Sequence, residues 1–221
     1  MTAPWVIKTI RSVSRNRLIG WSGTLALLIV FVIAYPPGTL FDHRIEDWAA
    51  ILMAPAFLLF HAAYGLSEAS RHYLDPSTHP LSRRIRNWGT LADVSRDIEH
   101  ELRTPHCKLD GARFTTRFII MRTWFKVDIL RLEDLIWAYE YQQHDSDSSR
   151  QCVKLHWSHT SRDLIVGWGN AKAVLDHCAQ QAPWAIAGFN RELATVFEQR
   201  KPEIIALVQQ RKQQILADAA A

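Results

Sequence analysis

Cysteine is scarce: three in 221 residues, and Cys107, Cys152 and Cys178 form no CxxC pair. An odd count without that spacing excludes a disulfide framework and suits reduced thiols. Nowhere does a glycine-rich fingerprint open a helix after a strand, which argues against a dinucleotide-binding fold. No internal repeat and no low-complexity tract interrupts the roughly 140 residues after Pro80. Charge is missing altogether from residues 18–35, LIGWSGTLALLIVFVIAY. At 1.5 Å per residue such a helix reaches roughly 27 Å, close to the thickness of a bilayer core. A second apolar run over 48–64, WAAILMAPAFLLFHAAY, carries Pro55 and His61. The two runs predict a two-helix transmembrane hairpin.

What is present around these runs predicts an orientation. Lys8, Arg11, Arg15 and Arg17 precede the first, and Arg71, Arg83, Arg84 and Arg86 follow the second. The connecting loop sets Arg44 against Asp42, Glu46 and Asp47. The positive-inside rule then places both termini in the cytoplasm, as in a multi-pass, two-span protein of a bacterial inner membrane. Trp21, Tyr35, Trp48 and Tyr64 stand near the expected ends, where aromatic rings favour the interface. No cleavage site follows the first run cleanly, so an uncleaved anchor is expected over a signal peptide. The first seventeen residues read either as a short amphipathic surface helix, with Trp5, Val6, Ile10 and Val13 on one side, or as a basic tail. The formal charge of +4 serves topology and anionic lipid in this reading and argues little for nucleic acid.

The expected organisation is a membrane segment over 1–74 and a cytoplasmic α+β domain over 75–221, an antiparallel sheet with flanking helices. Residues 75–80, DPSTHP, make a turn. A short helix follows over 81–88 and ends at Gly89. Thr90 and Asp93 have capping-box spacing, and Leu91, Val94, Ile98 and Leu102 make one apolar face of a helix that Pro105 stops. Asp110-Gly111 is a turn signal. From Phe114 the period falls to two, and an extended reading continues through Trp124 and Phe125 to Leu130. Glu133-Asp134 turns the chain into a strand ending at Tyr141. Residues 144–150 read as a polar loop, and Val153, Leu155 and Trp157 begin a hairpin that returns through Leu164, Val166 and Trp168. A helix over 170–181 and a final one capped by Asn190, renewed at Pro202, complete the chain.

The segment from Phe118 through Leu132, Glu133 and Asp134 into Ile136-Trp137-Ala138-Tyr139, with Pro183-Trp184 and Gly188-Phe189 before the last helix, carries a resemblance. It resembles uncharacterised bacterial membrane proteins that join a two-span hairpin to a small cytoplasmic pleckstrin-homology-like domain. The resemblance implies a domain that binds lipid, peptide or protein and does no chemistry.

His100, His106 and Cys107, with Glu101, are a cluster of zinc-type donors at no standard spacing. His156 and His159 flank a hairpin turn near Asp163, and His177 and Cys178 are adjacent on a helix, pointing apart. His61 lies inside an apolar run, where an ionisable group suggests a function or a helix contact. Arg113, Arg117, Arg122, Lys126 and Arg131 form a basic stretch over aromatic-rich strands that fits a nucleic-acid platform or, as membrane tethering favours, anionic lipid or an acidic partner, or is a plain solvated face. No catalytic, metal or cofactor set is assigned. The expected function is a membrane-anchored scaffold or accessory subunit, with membrane lipid and either another membrane protein or a second copy as partners, and no nucleic acid. The alternatives are a lipid- or ligand-sensing module and a membrane-bound enzyme.

Overall fold

The computed structural model describes residues 3–34, 45–104, 107–109, 111–145, 148–167 and 169–220, with backbone alone at 32, 45–55, 145 and 148. They form seven α-helices and two four-stranded sheets, divided between two compact units. One comprises Met1–His100 with Arg122–Asp128, and the other Glu101–Met121 with Ile129–Ala221.

The first unit is built on two 30-residue helices, α1 (Trp5–Ala34) and α2 (Ile45–Leu74), packed on each other. Val6, Ile10 and Val13 recur at helical spacing and are buried. On α2 the buried positions Ala62, Gly65 and Ala69 are all small, so the helices approach closely. A Cβ on Gly65 would lie 2.3 Å from the Trp21 ring, so the indole occupies the space a side chain would need. Ser95 of α4 (Leu91–Glu101) accepts a 2.9 Å hydrogen bond from the Val6 N–H, one of the amides that a helix start leaves unpaired. Asp75 accepts from the Ser77 N–H to start a 3-10 turn at Pro76–Thr78, and His79 then caps α3 (Pro80–Arg86). At α4 the Asp93 N–H donates to Thr90 Oγ1 at 3.2 Å, the capping box expected there.

The membrane reading is corrected. Among the described residues no helix is long and apolar enough to cross a membrane. The basic segment expected to flank the first apolar run belongs to the same helix as that run, with Lys8, Arg11, Arg15 and Arg17 inside α1. The start of the run is engaged by protein: Asn16 and Arg17 donate to the Trp124 and Phe125 carbonyls at 2.9 and 2.8 Å. Likewise Glu46 and Asp47 belong to α2, while Tyr35, Asp42 and Arg44 lie outside the described residues. The transmembrane hairpin, the two-span inner-membrane location with both termini cytoplasmic, and the resemblance to two-span proteins are withdrawn with it. The α+β class remains.

The second unit carries most of the strand residues. β1 (Cys107–Leu109), β2 (Ala112–Phe114), β3 (Phe118–Arg122) and β4 (Val127–Arg131) follow one another in space as in sequence. Gly111 takes φ 81°, a left-handed position suited to a residue without Cβ, while its partner Asp110 in the expected turn lies outside the described residues. Thr115 makes the next turn, its hydroxyl accepting from the Phe118 N–H at 3.0 Å. Trp124 and Phe125, expected in a strand, form the exposed β3–β4 turn instead, closed by Thr123 N–H donating to the Lys126 carbonyl at 2.8 Å.

The other sheet has order β7-β6-β5-β8. β5 (Leu135–Asp145) and β6 (Ser148–Trp157) pair antiparallel from Leu135↔Trp157 to Asp145↔Ser148, so the expected polar loop over 144–150 is largely hairpin strand. β7 (Ser161–Ile165) pairs antiparallel with β6. β8 (Ile186–Ala187) pairs parallel with β5 at Trp137↔Ile186, reached through α5 (Asn170–Gln181). Two open sheets with a parallel edge replace the single pleckstrin-like strand region that the resemblance implied. Residues 135–139 are buried on both faces of β5, which is why the segment reads as a continuous apolar run. α5 packs on β5 and β6, and Phe197 of α6 (Arg191–Gln199) meets the Trp137 ring at 5.4 Å. α7 (Lys201–Asp218) is tied back by Lys212, which donates to the Glu133 carbonyl at 3.1 Å and carboxylate at 2.9 Å. The Lys212 bond, ahead of the Arg131 charge, holds Glu133 below the usual carboxylate range.

Candidate functional site

A cavity between two helices lies in the first unit. α1 and α2, with the β3–β4 turn, enclose an open cavity of about 510 Å³. Its aromatic walls are Trp21, Tyr64 and Phe125, and Gly20 and Gly65 line it without side chains. A Cβ on Gly20 would meet the Phe125 ring at 3.2 Å, so this glycine lets the turn close on the helix. The polar atoms come from Arg17, Glu68, His61 and Thr24. Arg17 is oriented by its Nε–H bond to the Phe125 carbonyl, and Thr24 Oγ1 donates to the Gly20 carbonyl at 3.1 Å. His61 is exposed at the wall, its ring centroid 4.2 Å from that of Phe57. A concave apolar chamber with few convergent polar groups is the usual form of a small-molecule site.

Around it, the helices expose large apolar side chains. Leu27, Val30, Phe31 and Ile33 of α1 and Phe57, Leu58, Leu59 and Phe60 of α2 are all exposed. Four consecutive exposed residues on α2 cover every side of one helical turn, a wider apolar surface than scattered surface residues make.

Close to the cavity, His72 and His79 meet edge to face at 4.8 Å. His79 Nδ1 accepts the Leu81 N–H at 3.1 Å, which a protonated ring cannot do. Burial first, then the neighbouring His72, holds His79 down to about 4, and burial lowers His72 as well. An unfolded His79 titrates near its ordinary 6.5, so the unfolded chain takes the proton first as pH falls. The stability is complete above about 6.5 and is lost as pH drops toward about 4, on the order of 1–3 kcal/mol after allowance for solvent screening. Denaturant midpoints at pH 7 and 4.5 check this. His79→Asn keeps an acceptor for the cap and is expected to flatten the dependence; an unchanged slope would remove His79 as its source.

The residues singled out from sequence are dispersed. Arg122 donates to Ser12 at 3.2 Å, and Lys126 sits in the exposed β3–β4 turn of the first unit. In the second unit Arg113 is exposed on β2, Arg117 lies over the Phe118 ring at 5.4 Å, and Arg131 is neutralised by Asp134 and Glu133, each at 3.1 Å. His100 is exposed at the end of α4 and Cys107 half-buried on β1, while His106 lies outside the described residues, as do Pro105 and Trp168. Among the described residues no group of three His, Cys, Asp or Glu could hold a metal ion. His159 is exposed, whereas His156 is stacked on Trp137 at 5.2 Å and against Phe197 at 4.8 Å. Burial, ahead of the Lys154 charge, brings His156 down to about 4. His177 Nε2 donates to the Thr115 carbonyl at 3.0 Å. Cys178 points into the core, where burial pushes its thiol up to about 12, far from the thiolate a nucleophile requires.

The span from α4 through the strands described above to Phe197 is similar to a known family. Residues 92–197 match the model of the domain of unknown function DUF6709. The match takes in just under half of the chain and leaves α1, α2, α3 and α7 outside it, with the greater part of the cavity. No curated protein and no solved structure matches the chain.

Sequence reasoning missed the cavity because its signal is two glycines, one inside the first apolar run and one just past the second. Gly20 and Gly65 are readable as close-approach points only once the pairing of the two helices is known.

Proposed function

We propose that this chain is an interaction protein without catalysis of its own, an accessory subunit that docks a partner protein through the apolar surface of α1 and α2. The observation that carries the reading is the crowd of exposed apolar residues there, with Leu27 at 73%, Ile33 at 72% and Phe60 at 69% exposure. Surface of this kind gains about 25 cal/mol for each Å² removed from water, so covering it stabilises a complex. A second copy of the chain can supply the same surface in return, as symmetric dimers do.

The test compares the full-length protein with the double variant Phe57→Glu, Phe60→Glu. Both side chains are exposed, so the variant is expected to keep its fold by circular dichroism. The wild-type chain is expected to self-associate in sedimentation or to retain a stoichiometric partner on purification, and the variant to lose that association. A wild-type monomer that holds no partner, or an association the variant leaves unchanged, would overturn the reading.

A further inference from the structure

The cavity between α1 and α2 is lined by two charged side chains of opposite sign, Arg17 of α1 and Glu68 of α2. Among the described residues neither Arg17 nor Glu68 makes an ion pair, although both line the same 510 Å³ space and both are half-buried. Arg17 spends Nε on the Phe125 carbonyl, which fixes the plane of its guanidinium and leaves the two Nη nitrogens without a hydrogen bond among the described residues. Half-buried charges left unpaired cost solvation, and an incoming group of opposite sign recovers it. Trp21 and Phe125 line the same space, the first packed against Gly65 and the second against Gly20.

We propose that this cavity binds a small zwitterion with an apolar body: a hydrophobic amino acid or a short apolar peptide with free ends. The ligand carboxylate takes both Arg17 Nη nitrogens, a planar fork that matches carboxylate geometry. The ligand ammonium takes the Glu68 carboxylate. The apolar body displaces water from the Trp21 and Phe125 rings, where the hydrophobic gain resides. A simple anion satisfies Arg17 and leaves Glu68 uncompensated. A simple amine does the reverse. This site is distinct from the exposed outer surface assigned to a partner protein, and its occupancy does not depend on that assignment.

Isothermal titration of the full-length protein tests it with L-phenylalanine, the dipeptide Leu-Leu, N-acetyl-L-phenylalanine and L-phenylalaninamide. One of the two zwitterions is expected to bind, and which one does decides between a free amino acid and a peptide. Acetylating the amine or amidating the carboxylate of phenylalanine is expected to weaken binding at least about tenfold, because each deletes one charge-assisted contact. This comparison needs no variant. If Leu-Leu is the ligand, its N-acetyl and amide forms replace those of phenylalanine. Arg17→Gln is expected to abolish the preference for a free carboxylate and Glu68→Gln the preference for a free amine, with the fold checked by circular dichroism. No heat from either zwitterion up to about 10 mM, an affinity range of a few kcal/mol, would overturn the proposal. So would equal binding of the blocked compounds, or variants that fold and bind as the wild type does.

Discussion

Trp157→Ala is expected to lower the stability of the second unit by about 4–5 kcal/mol. The side chain is 1% exposed at the end of β6, opposite Leu135, and is among the largest buried groups of the core. Truncating a buried aromatic side chain costs about 3–5 kcal/mol through lost transfer energy and the cavity left behind. The indole also donates to the Arg131 carbonyl at 2.9 Å, and losing that bond leaves an acceptor unsatisfied, for about 1 kcal/mol more. Trp157→Phe separates the two contributions by keeping a ring and deleting the donor. Urea titration followed by circular dichroism measures both variants against Trp124→Ala, whose 70% exposed side chain is expected to contribute within about 0.5 kcal/mol. A loss below about 1.5 kcal/mol for Trp157→Ala would mean that this end of the β5–β6 hairpin is not part of the cooperative core.

Asp128→Ala is expected to act as strongly on the first unit. Asp128 is 8% exposed and accepts from Arg84 of α3, itself 19% exposed. Removing the carboxylate takes the acceptor from a guanidinium in a place water reaches poorly, a change that costs about 3–5 kcal/mol in comparable buried pairs. The sign reverses when both partners go. Arg84→Met with Asp128→Leu removes two desolvation penalties together with their attraction, and is expected to recover most of the loss. A double variant as unstable as Asp128→Ala alone would show that the packing of Arg84 against Trp88, 5.9 Å away, matters more than the charge pair.

These two positions also mark what was legible in the sequence. Local signals were: Thr90 and Asp93 announced the start of α4, Asn190 capped α6, and residues 170–181 carried a helix with the bounds found in the structure. Each of these depends on residues three or four apart. The Arg84–Asp128 pair joins residues 44 apart, and nothing in either neighbourhood names the other. Trp124 and Phe125 read as strand because they are aromatic, yet their place was decided by Asn16 and Arg17, which take the carbonyls of that turn. The apolar runs were legible as helices. Their surroundings were not, because the same hydropathy serves a bilayer, a helix partner or a cavity wall. The first turns of α1 turned out to be covered by its own chain, at Val6, Ile10 and Val13.

The parallel pairing of β8 with β5 has a consequence for the order in which the second unit assembles. β5, β6 and β7 join through short connections and can zip together early, since closing a small loop forfeits little chain entropy. β8 is two residues long, and the Trp137 indole reaches Gly188 across 51 positions of chain at 2.8 Å. That contact waits until α5 has folded back over the sheet. α6 and α7 follow β8 in the chain, so they inherit its lateness. The C-terminal third is then a latch applied to a finished meander, and the first part to lift from it. Amide hydrogen exchange is expected to show this as faster opening at Gly188 than at Val153 and Leu155 in the centre of β6. Equal protection would make the latch and the meander a single cooperative unit.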